Sequence, residues 1–252
     1  MIKLKEVALC LRAVNYSDTS QVVTLLTREH GKIAAIAKGA RRPKSAFDGA
    51  IEPFAYGQVM VMISESHDTL STLTEFVQSG RFRSLRSNLA AMHAGLFALE
   101  LTEASFEQSD PHPTLFDALV DMLDRLGQYD KMQAVLPVLI DYQLTLLDEA
   151  GVAPRLDACT NCGAPTGSGG KDLYFSSAAN GLLCGGCEQA FTEKRRLSPA
   201  CCAMLNRRAA FTAAPPALLT EAEQLLVYHF TELMHRPPKM AKYFVTRANA
   251  MS

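Results

Sequence analysis

The segment Gln21-Val22-Val23-Thr24-Leu25-Leu26-Thr27, the turn pair His30-Gly31 and the run Lys32-Ile33-Ala34-Ala35-Ile36-Ala37 decide the fold class. Both runs are short, rich in Val, Ile, Leu and Thr, and bounded by turn-forming residues, which is the signature of neighbouring strands. The pattern continues outward. Glu6–Val14 precedes the turn cluster Asn15–Asp18, and Gln58–Ile63 and Thr69–Phe76 follow, set off by Asp48–Gly49 and Ser64–Asp68. Five such strands within residues 1–80 predict a small antiparallel barrel, because closing the sheet removes its exposed edges.

Beyond residue 80 the apolar spacing turns helical. Leu85, Leu89, Met92, Leu96, Leu99 and Phe106 lie on one helical face, and Asp110-Pro111-His112-Pro113 ends that helix. Thr114 is placed to cap a second helix with Asp117 three residues on. A third is expected over Gln133–Ala150, with Pro137 in its first turn and Gly151 at its end. A cysteine-bearing insert occupies 155–195. Helices over Ser198–Ala210 and Thr220–His235 follow, the first opened by Ser198 as cap and Pro199 as first residue. The last 15 residues show weak periodicity. The expectation is an α+β protein with a five-stranded barrel over 1–80 and an α-helical domain over 81–252 that carries the insert at 155–195.

The 252 residues are 48% hydrophobic and 20% charged, which excludes wholesale disorder and fibrous architectures. A net charge of −1 argues, as a total, against a general nucleic-acid binder. The total hides a division. Residues 1–80 carry nine basic and eight acidic groups, 81–150 five and eleven, and 151–252 eleven and seven. Within residues 28–44, Arg28, Lys32, Lys38, Arg41, Arg42 and Lys44 face only Glu29. Glu6 and Arg12 interrupt the N-terminal apolar run, and Ala134–Leu147 is too short to span a bilayer. A cytoplasmic, nucleoid-associated protein with no membrane partner is expected.

Cys159-x-x-Cys162 and Cys184-x-x-Cys187 are two knuckles of the kind that close a tetrahedral four-thiolate site. Asp172–Ser176 and Leu182-Leu183 read as the strands of a connecting hairpin, with Asn180-Gly181 as its turn. Gly163, Gly185 and Gly186 suit backbone turning towards the sulfurs, and Thr166–Gly170 suits an irregular tip. One structural Zn2+ is therefore expected. Core thiols or disulfides are the plain alternatives, and a reducing compartment disfavours the second. Four thiolates leave no open coordination position for hydrolytic chemistry. Cys201 and Cys202 lie on a predicted helix and read as packing residues.

Lys38-Gly39-Ala40-Arg41-Arg42-Pro43-Lys44-Ser45 is a loop by its Gly39 and Pro43. Its four cations suit phosphates, with arginine adding bidentate geometry. A solvated charge run is the competing account. Phe47, Phe54 and Tyr56 are near enough for base stacking, although an aromatic in so small a barrel ordinarily belongs to the core. Gly167–Lys171 lacks the glycine spacing and hydroxyl of a phosphate loop. No dinucleotide fingerprint, nucleophile elbow or His-Glu-x-x-His exists, and Asp117, Asp121 and Asp124 read as a solvated acidic face. Nothing nominates a catalytic group, so the protein is expected not to be an enzyme.

The chain resembles the bacterial recombination mediator family RecO. The likeness is carried by the Lys38–Ser45 loop, by Asn15–Ser20, by Thr27–Lys32 in the first hairpin, and by the ribbon with Tyr174-Phe175-Ser176 ahead of Gly181-Leu182-Leu183-Cys184. The resemblance implies an OB-fold followed by a helical domain interrupted by a zinc ribbon. It implies a mediator of the RecF pathway that binds single- and double-stranded DNA and anneals complementary strands without ATP. The implied partners are RecR, the C-terminal tail of single-stranded DNA-binding protein and, indirectly, RecA. Lys38, Arg41, Arg42 and Lys44 would meet phosphates, with Arg28 and Lys32 extending the patch. The alternative is a zinc-ribbon factor that binds proteins in assembly or transcription, with the basic loop serving an acidic partner and no annealing activity. A metal-dependent enzyme would need an open coordination site.

Overall fold

A computed structural model describes residues 2–63, 70–129, 131–165 and 172–245. The chain packs as two units, 1–128 and 129–252. The expected Ser64–Asp68 turn, the Thr166–Gly170 tip, the Gly167–Lys171 run and the end of the tail lie outside the described residues.

In the first unit, β1 (Ile2–Asn15), β2 (Gln21–Thr27), β3 (Gly31–Ala37), β4 (Tyr56–Ile63) and β5 (Ser71–Ser79) form a closed barrel in the order β1-β2-β3-β5-β4. The pairs are antiparallel except β3–β5, which is parallel. The long first strand makes closure possible. Its beginning pairs with β4, its end pairs with β2, and the register slips between Cys10 and Arg12, where a bulge re-aims the chain. Period-two alternation then sorts the side chains. Val23 and Leu25 of β2, and Ile33, Ala35 and Ala37 of β3, point inward with Leu4, Ala8, Val59, Val61, Leu73 and Phe76. The β2–β3 turn needs glycine at Gly31, where φ is +64° and a Cβ would lie 2.1 Å from the Asp110 carbonyl oxygen.

Two helices complete this unit. α1 spans Leu89–Ser105 and α2 spans Pro113–Leu126. The helix expected from Leu85 is divided, because the Asn88 side chain accepts the Ala91 N–H at 3.1 Å and caps α1 there, leaving Arg83–Ser87 as a 3-10 turn. Thr114 does not cap α2. Pro113 already occupies its first turn and His112 stands at the cap position without a side-chain bond. At the far end of α1, the Lys32 ammonium donates to the carbonyl oxygens of Glu103 (2.6 Å) and Phe106, satisfying groups that a helix end leaves open.

In the second unit, α3 (Met132–Glu149) packs against α5 (Pro216–Met234), with α4 (Pro199–Leu205) alongside. Pro137 falls in the second turn of α3 rather than the first, and Gly151 follows the helix in a left-handed conformation (φ +69°). α4 begins as expected, with Ser198 Oγ accepting the Cys201 N–H. It stops at Asn206, short of Ala210, and the chain continues as a 3-10 turn over Arg208–Ala213. α5 starts at Pro216 rather than Thr220, because the proline suits a first turn. Lys239–Tyr243 of the tail forms a 3-10 turn. β6 (Leu173–Ser176), β7 (Gly181–Cys184) and β8 (Arg195–Leu197) make a three-stranded sheet in the order β7-β6-β8. The third strand adds to the expected hairpin, since three residues are too few to show alternation.

A buried carboxyl and a buried imidazole sit in this unit. Glu223 is fully buried and accepts from Gln143 Nε2 at 3.0 Å. Burial pushes its carboxyl up to about 7, against the pull of that bond. His229 is also buried, with Nδ1 2.8 Å from Ser177 Oγ, and burial pushes it down to about 4. The two oppose one another in pH. The Glu223 contribution is full below the unfolded carboxyl range and is lost as pH rises towards 7. The His229 contribution is full above the unfolded imidazole pKa and is lost as pH falls towards 4. Each is worth on the order of 3 kcal/mol. Glu223→Gln removes the first and exposes the second. From pH 4 to 7 the variant is expected to gain on the order of 3 kcal/mol of unfolding free energy relative to wild type. Denaturant titrations across that range check it, and parallel profiles would show that Glu223 is ionised in the folded protein.

Candidate metal centre and nucleic-acid interface

The four cysteines of the two knuckles converge. The sulfurs of Cys159, Cys162, Cys184 and Cys187 all lie within 4.8 Å of one another, and Cys162 Sγ and Cys184 Sγ are 3.8 Å apart. Tetrahedral coordination with metal–sulfur bonds of about 2.3 Å places sulfurs roughly 3.8 Å apart, whereas a disulfide needs about 2.05 Å. The donor set and its spacing therefore fit a thiophilic ion. Local structure enforces the convergence. Leu173 pairs with Cys184, so the hairpin delivers the second knuckle. Thr160 donates its N–H (2.8 Å) and its hydroxyl (3.1 Å) to the Leu182 carbonyl, locking the first knuckle to β7. The Cys184 N–H points at Cys159 Sγ at 3.4 Å. Burial works against ionising Cys159, but N–H groups of Cys162, Cys184 and Asn161 outweigh it and bring the thiol down to about 6. Gly163 adopts the left-handed conformation (φ +74°), but Gly185 and Gly186 do not, so the second knuckle does not need glycine for its backbone. Cys201 and Cys202 are buried in α4, within reach of the carbonyl oxygens of Leu218 and Leu156, and are packing residues.

The connection between β3 and β4 is the second feature. It folds back over the barrel, and Ala40, Phe47, Ile51 and Ala55 enter the barrel core. Gln21 holds it from inside. Its Oε1 accepts the Ile51 N–H at 2.9 Å and its Nε2 donates to the Ile51 carbonyl at 3.1 Å, with the side chain 5% exposed. Further bonds run from Gln78 Nε2 to the Phe47 carbonyl (2.6 Å) and from the Phe76 N–H to the Ala46 carbonyl (3.1 Å). The Asn15–Ser20 loop braces the other side. Thr19 O accepts the Arg41 N–H at 3.0 Å, and Ser20 Oγ accepts that of Gly39 at 3.3 Å.

The anchored connection holds Lys38, Arg41, Arg42 and Lys44 in water. All four are exposed, and among the described residues none makes an ion pair. Of the unit's other guanidinium groups, Arg12, Arg28, Arg81, Arg86 and Arg125 meet carboxylates, and Arg83 is exposed without one among the described residues. Arg28 grips Asp117 with two nitrogens (3.0 and 2.9 Å) and also reaches Glu29. Arg81 grips Asp124, and Arg12 meets Glu103 at 3.4 Å. The Arg28 guanidinium holds the Asp117 carboxyl below the usual carboxylate range. Asp117 and Asp124 are thus ion-pair partners rather than a merely solvated face. Lys32 is half-buried on the α1 carbonyls, and that burial lowers its pKa. The structure therefore gathers four of the six expected phosphate contacts on one loop and places Arg28 and Lys32 in internal contacts.

Of the aromatics named for stacking, Phe47 and Phe54 are core residues, at 3% and 5% exposure. Tyr56 is half-buried beneath Arg81, whose guanidinium carbon is 5.1 Å from the ring centroid. The exposed aromatic beside the cations is Tyr16, which the sequence offered only as a turn residue. Its signal was its place next to Ser17 and Asp18, outside the barrel alternation.

Comparison with known proteins gives a consistent answer. Residues 1–80 match the family model for the N-terminal part of recombination protein O, and residues 86–241 match that for its C-terminal part. The chain is 39% identical over 187 residues to the DNA repair protein RecO of Anaeromyxobacter dehalogenans strain 2CP-C, covering 74% of this chain and 71% of that one. It is 34% identical over 221 residues to the RecO of Myxococcus xanthus, covering 87% of each. It is 30% identical over 236 residues to the RecO of Bacillus pumilus, covering 91% and 88%.

Replacing Gln21 by Ala strands a buried N–H and a buried C=O at Ile51. A loss of about 1–3 kcal/mol is expected, with faster amide exchange confined to the Lys38–Ala55 connection and the Asn15–Ser20 loop. Exchange that rises uniformly over the barrel would show that Gln21 is not the anchor of this segment.

Proposed function

The chain belongs to the recombination protein O family of DNA repair proteins, and from that premise we propose that it is a DNA-binding recombination mediator of the RecF pathway. It binds single- and double-stranded DNA, anneals complementary strands without ATP, and with RecR helps RecA load onto DNA coated with single-stranded DNA-binding protein, whose C-terminal tail it contacts. The observation that carries the reading is the set of unpaired cations at Lys38, Arg41, Arg42 and Lys44 on a loop anchored to a barrel.

The mechanism needs no bond chemistry. Two strands repel one another through their phosphates, and a shared cationic surface lowers that repulsion while base pairing supplies the driving force. Binding of this kind releases counterions, so it weakens with salt in proportion to the phosphates contacted. The loop cations supply the phosphate contacts. Arg28 and Lys32 extend the patch only by exchanging their present partners for phosphate. The barrel itself is of a type whose faces and flanking loops hold single strands.

Zn2+ is the ion that best suits the four cysteines, and its role is to hold the knuckles and the three-stranded sheet together. With four thiolates around it, it has no open position at which to activate water. The proposal accordingly assigns no catalytic residue and a cytoplasmic, nucleoid-associated location. No described helix is long and apolar enough to cross a membrane.

Two outcomes are expected. Log-log salt titrations of oligonucleotide binding should show a steep loss of affinity for wild type, and Arg41→Ala with Arg42→Ala should reduce the slope by about 1–2. An unchanged slope would remove the loop from the interface. Metal analysis should give one zinc per chain, with Cys159, Cys162, Cys184 and Cys187 resisting alkylation until a chelator is added. Four freely reactive thiols in the native protein would refute the metal assignment.

A further inference from the structure

The outer face of the barrel beside the basic loop carries apolar side chains in register. Val14 of β1 lies opposite Val22 of β2, and Val22 lies opposite Ile36 of β3. Alternation turns these three away from the core. Val14 is 45% exposed, and Val22 and Ile36 are half-buried. Two residues past Val14 comes Tyr16, and two past Ile36 comes Lys38. Tyr16 is 69% exposed, the highest value among the exposed large hydrophobic residues of the described part of the chain. The backbone that carries it is held in a hydrogen-bonded turn. The N–H groups of Tyr16 and Ser17 both donate to the Ser20 carbonyl (2.9 and 3.2 Å), and Ser17 Oγ accepts the Ser20 N–H at 3.1 Å. The same turn accepts the Arg41 N–H through Thr19. An exposed aromatic residue thus follows the aliphatic row in the chain, on the turn that braces the loop cations.

We propose that this face is a base-stacking strip, with Tyr16 as its platform, and that it makes the surface prefer unpaired strands to duplex. The inference rests on the loop cations contacting phosphate. An unpaired strand offers both charge and open base faces, so it engages the cations and the ring together. A duplex keeps its base faces inside the stack and engages the cations alone. The same division suits annealing, because a strand loses its hold on the strip as it pairs.

The test uses the full-length protein, an unstructured oligothymidylate, a duplex of equal length and a base-free deoxyribose-phosphate strand. Tyr16→Ala should weaken oligothymidylate binding about 5- to 150-fold. It should weaken duplex and base-free binding far less, so the single-strand preference shrinks, and Tyr16→Phe should restore it. Because the protein has no tryptophan, Tyr16→Trp introduces a sole reporter. Its fluorescence should be quenched by oligothymidylate and little changed by duplex. Equal losses on all three ligands, or no loss, would overturn the proposal, as would quenching on concentrating the protein without DNA, which would assign the face to a second copy. If instead the Arg41/Arg42 double variant keeps its salt slope, it is the loop reading that has failed.

Discussion

Gln21 is the buried strand side chain that holds the barrel's longest connection from inside. A strand residue that points inward is ordinarily apolar, but this one presents an amide to the backbone of Ile51 and satisfies its N–H and C=O together. Those two bonds, made where water is excluded, set the path of the Lys38–Ala55 connection. With Ile51 fixed, Phe47 and Ala55 reach the core, Ala40 is drawn in, and the residues between have only solvent to face. Arg41 and Arg42 are exposed on a connection whose Ala40 and Phe47 are buried.

Charge in the first unit is sorted by the same packing. The helices bring Glu103, Asp117 and Asp124 against Arg12, Arg28 and Arg81, and the α1 terminus takes Lys32. Among the described residues, the loop is left as the densest run of cations without a carboxylate partner. A protein of net charge −1 can therefore present a concentrated cationic site, because a polyanion responds to potential within about a Debye length, roughly 10 Å. In the second unit the organising constraint is different. Two turns must hold four sulfurs at mutual distances that suit one ion, and the sheet and the Thr160 bonds to Leu182 do so.

Much of this was legible in the sequence, for identifiable reasons. β2 was found to its terminal residues because turn-forming residues bound a short run rich in Val, Leu and Thr on both sides. The convergence of Cys159, Cys162, Cys184 and Cys187 was legible because knuckle spacing leaves few other readings of them. The helix boundaries were less legible where caps compete: Asn88 against Leu85, Pro216 against Thr220, Asn206 against Ala210. Ion pairing was not legible at all. Nothing local in the sequence says that Arg28 meets Asp117, 89 residues away, or that Lys32 meets carbonyl oxygens. The inward amide of Gln21 and the outward ring of Tyr16 escaped for the same reason, since burial at strand ends is decided by contacts distant in sequence.

The central claim is that the braced loop lets two polyanionic strands share one surface, without chemistry. The most direct measurement is annealing of complementary strands coated with their single-stranded DNA-binding protein, in the absence of ATP. Wild type compares there with a variant in which Lys38, Arg41, Arg42 and Lys44 are all replaced by Ala. The account expects annealing by wild type, at a rate that falls with salt, and little by a variant that remains folded and retains its metal. Annealing by the folded variant at the wild-type rate, or none by wild type, would contradict it.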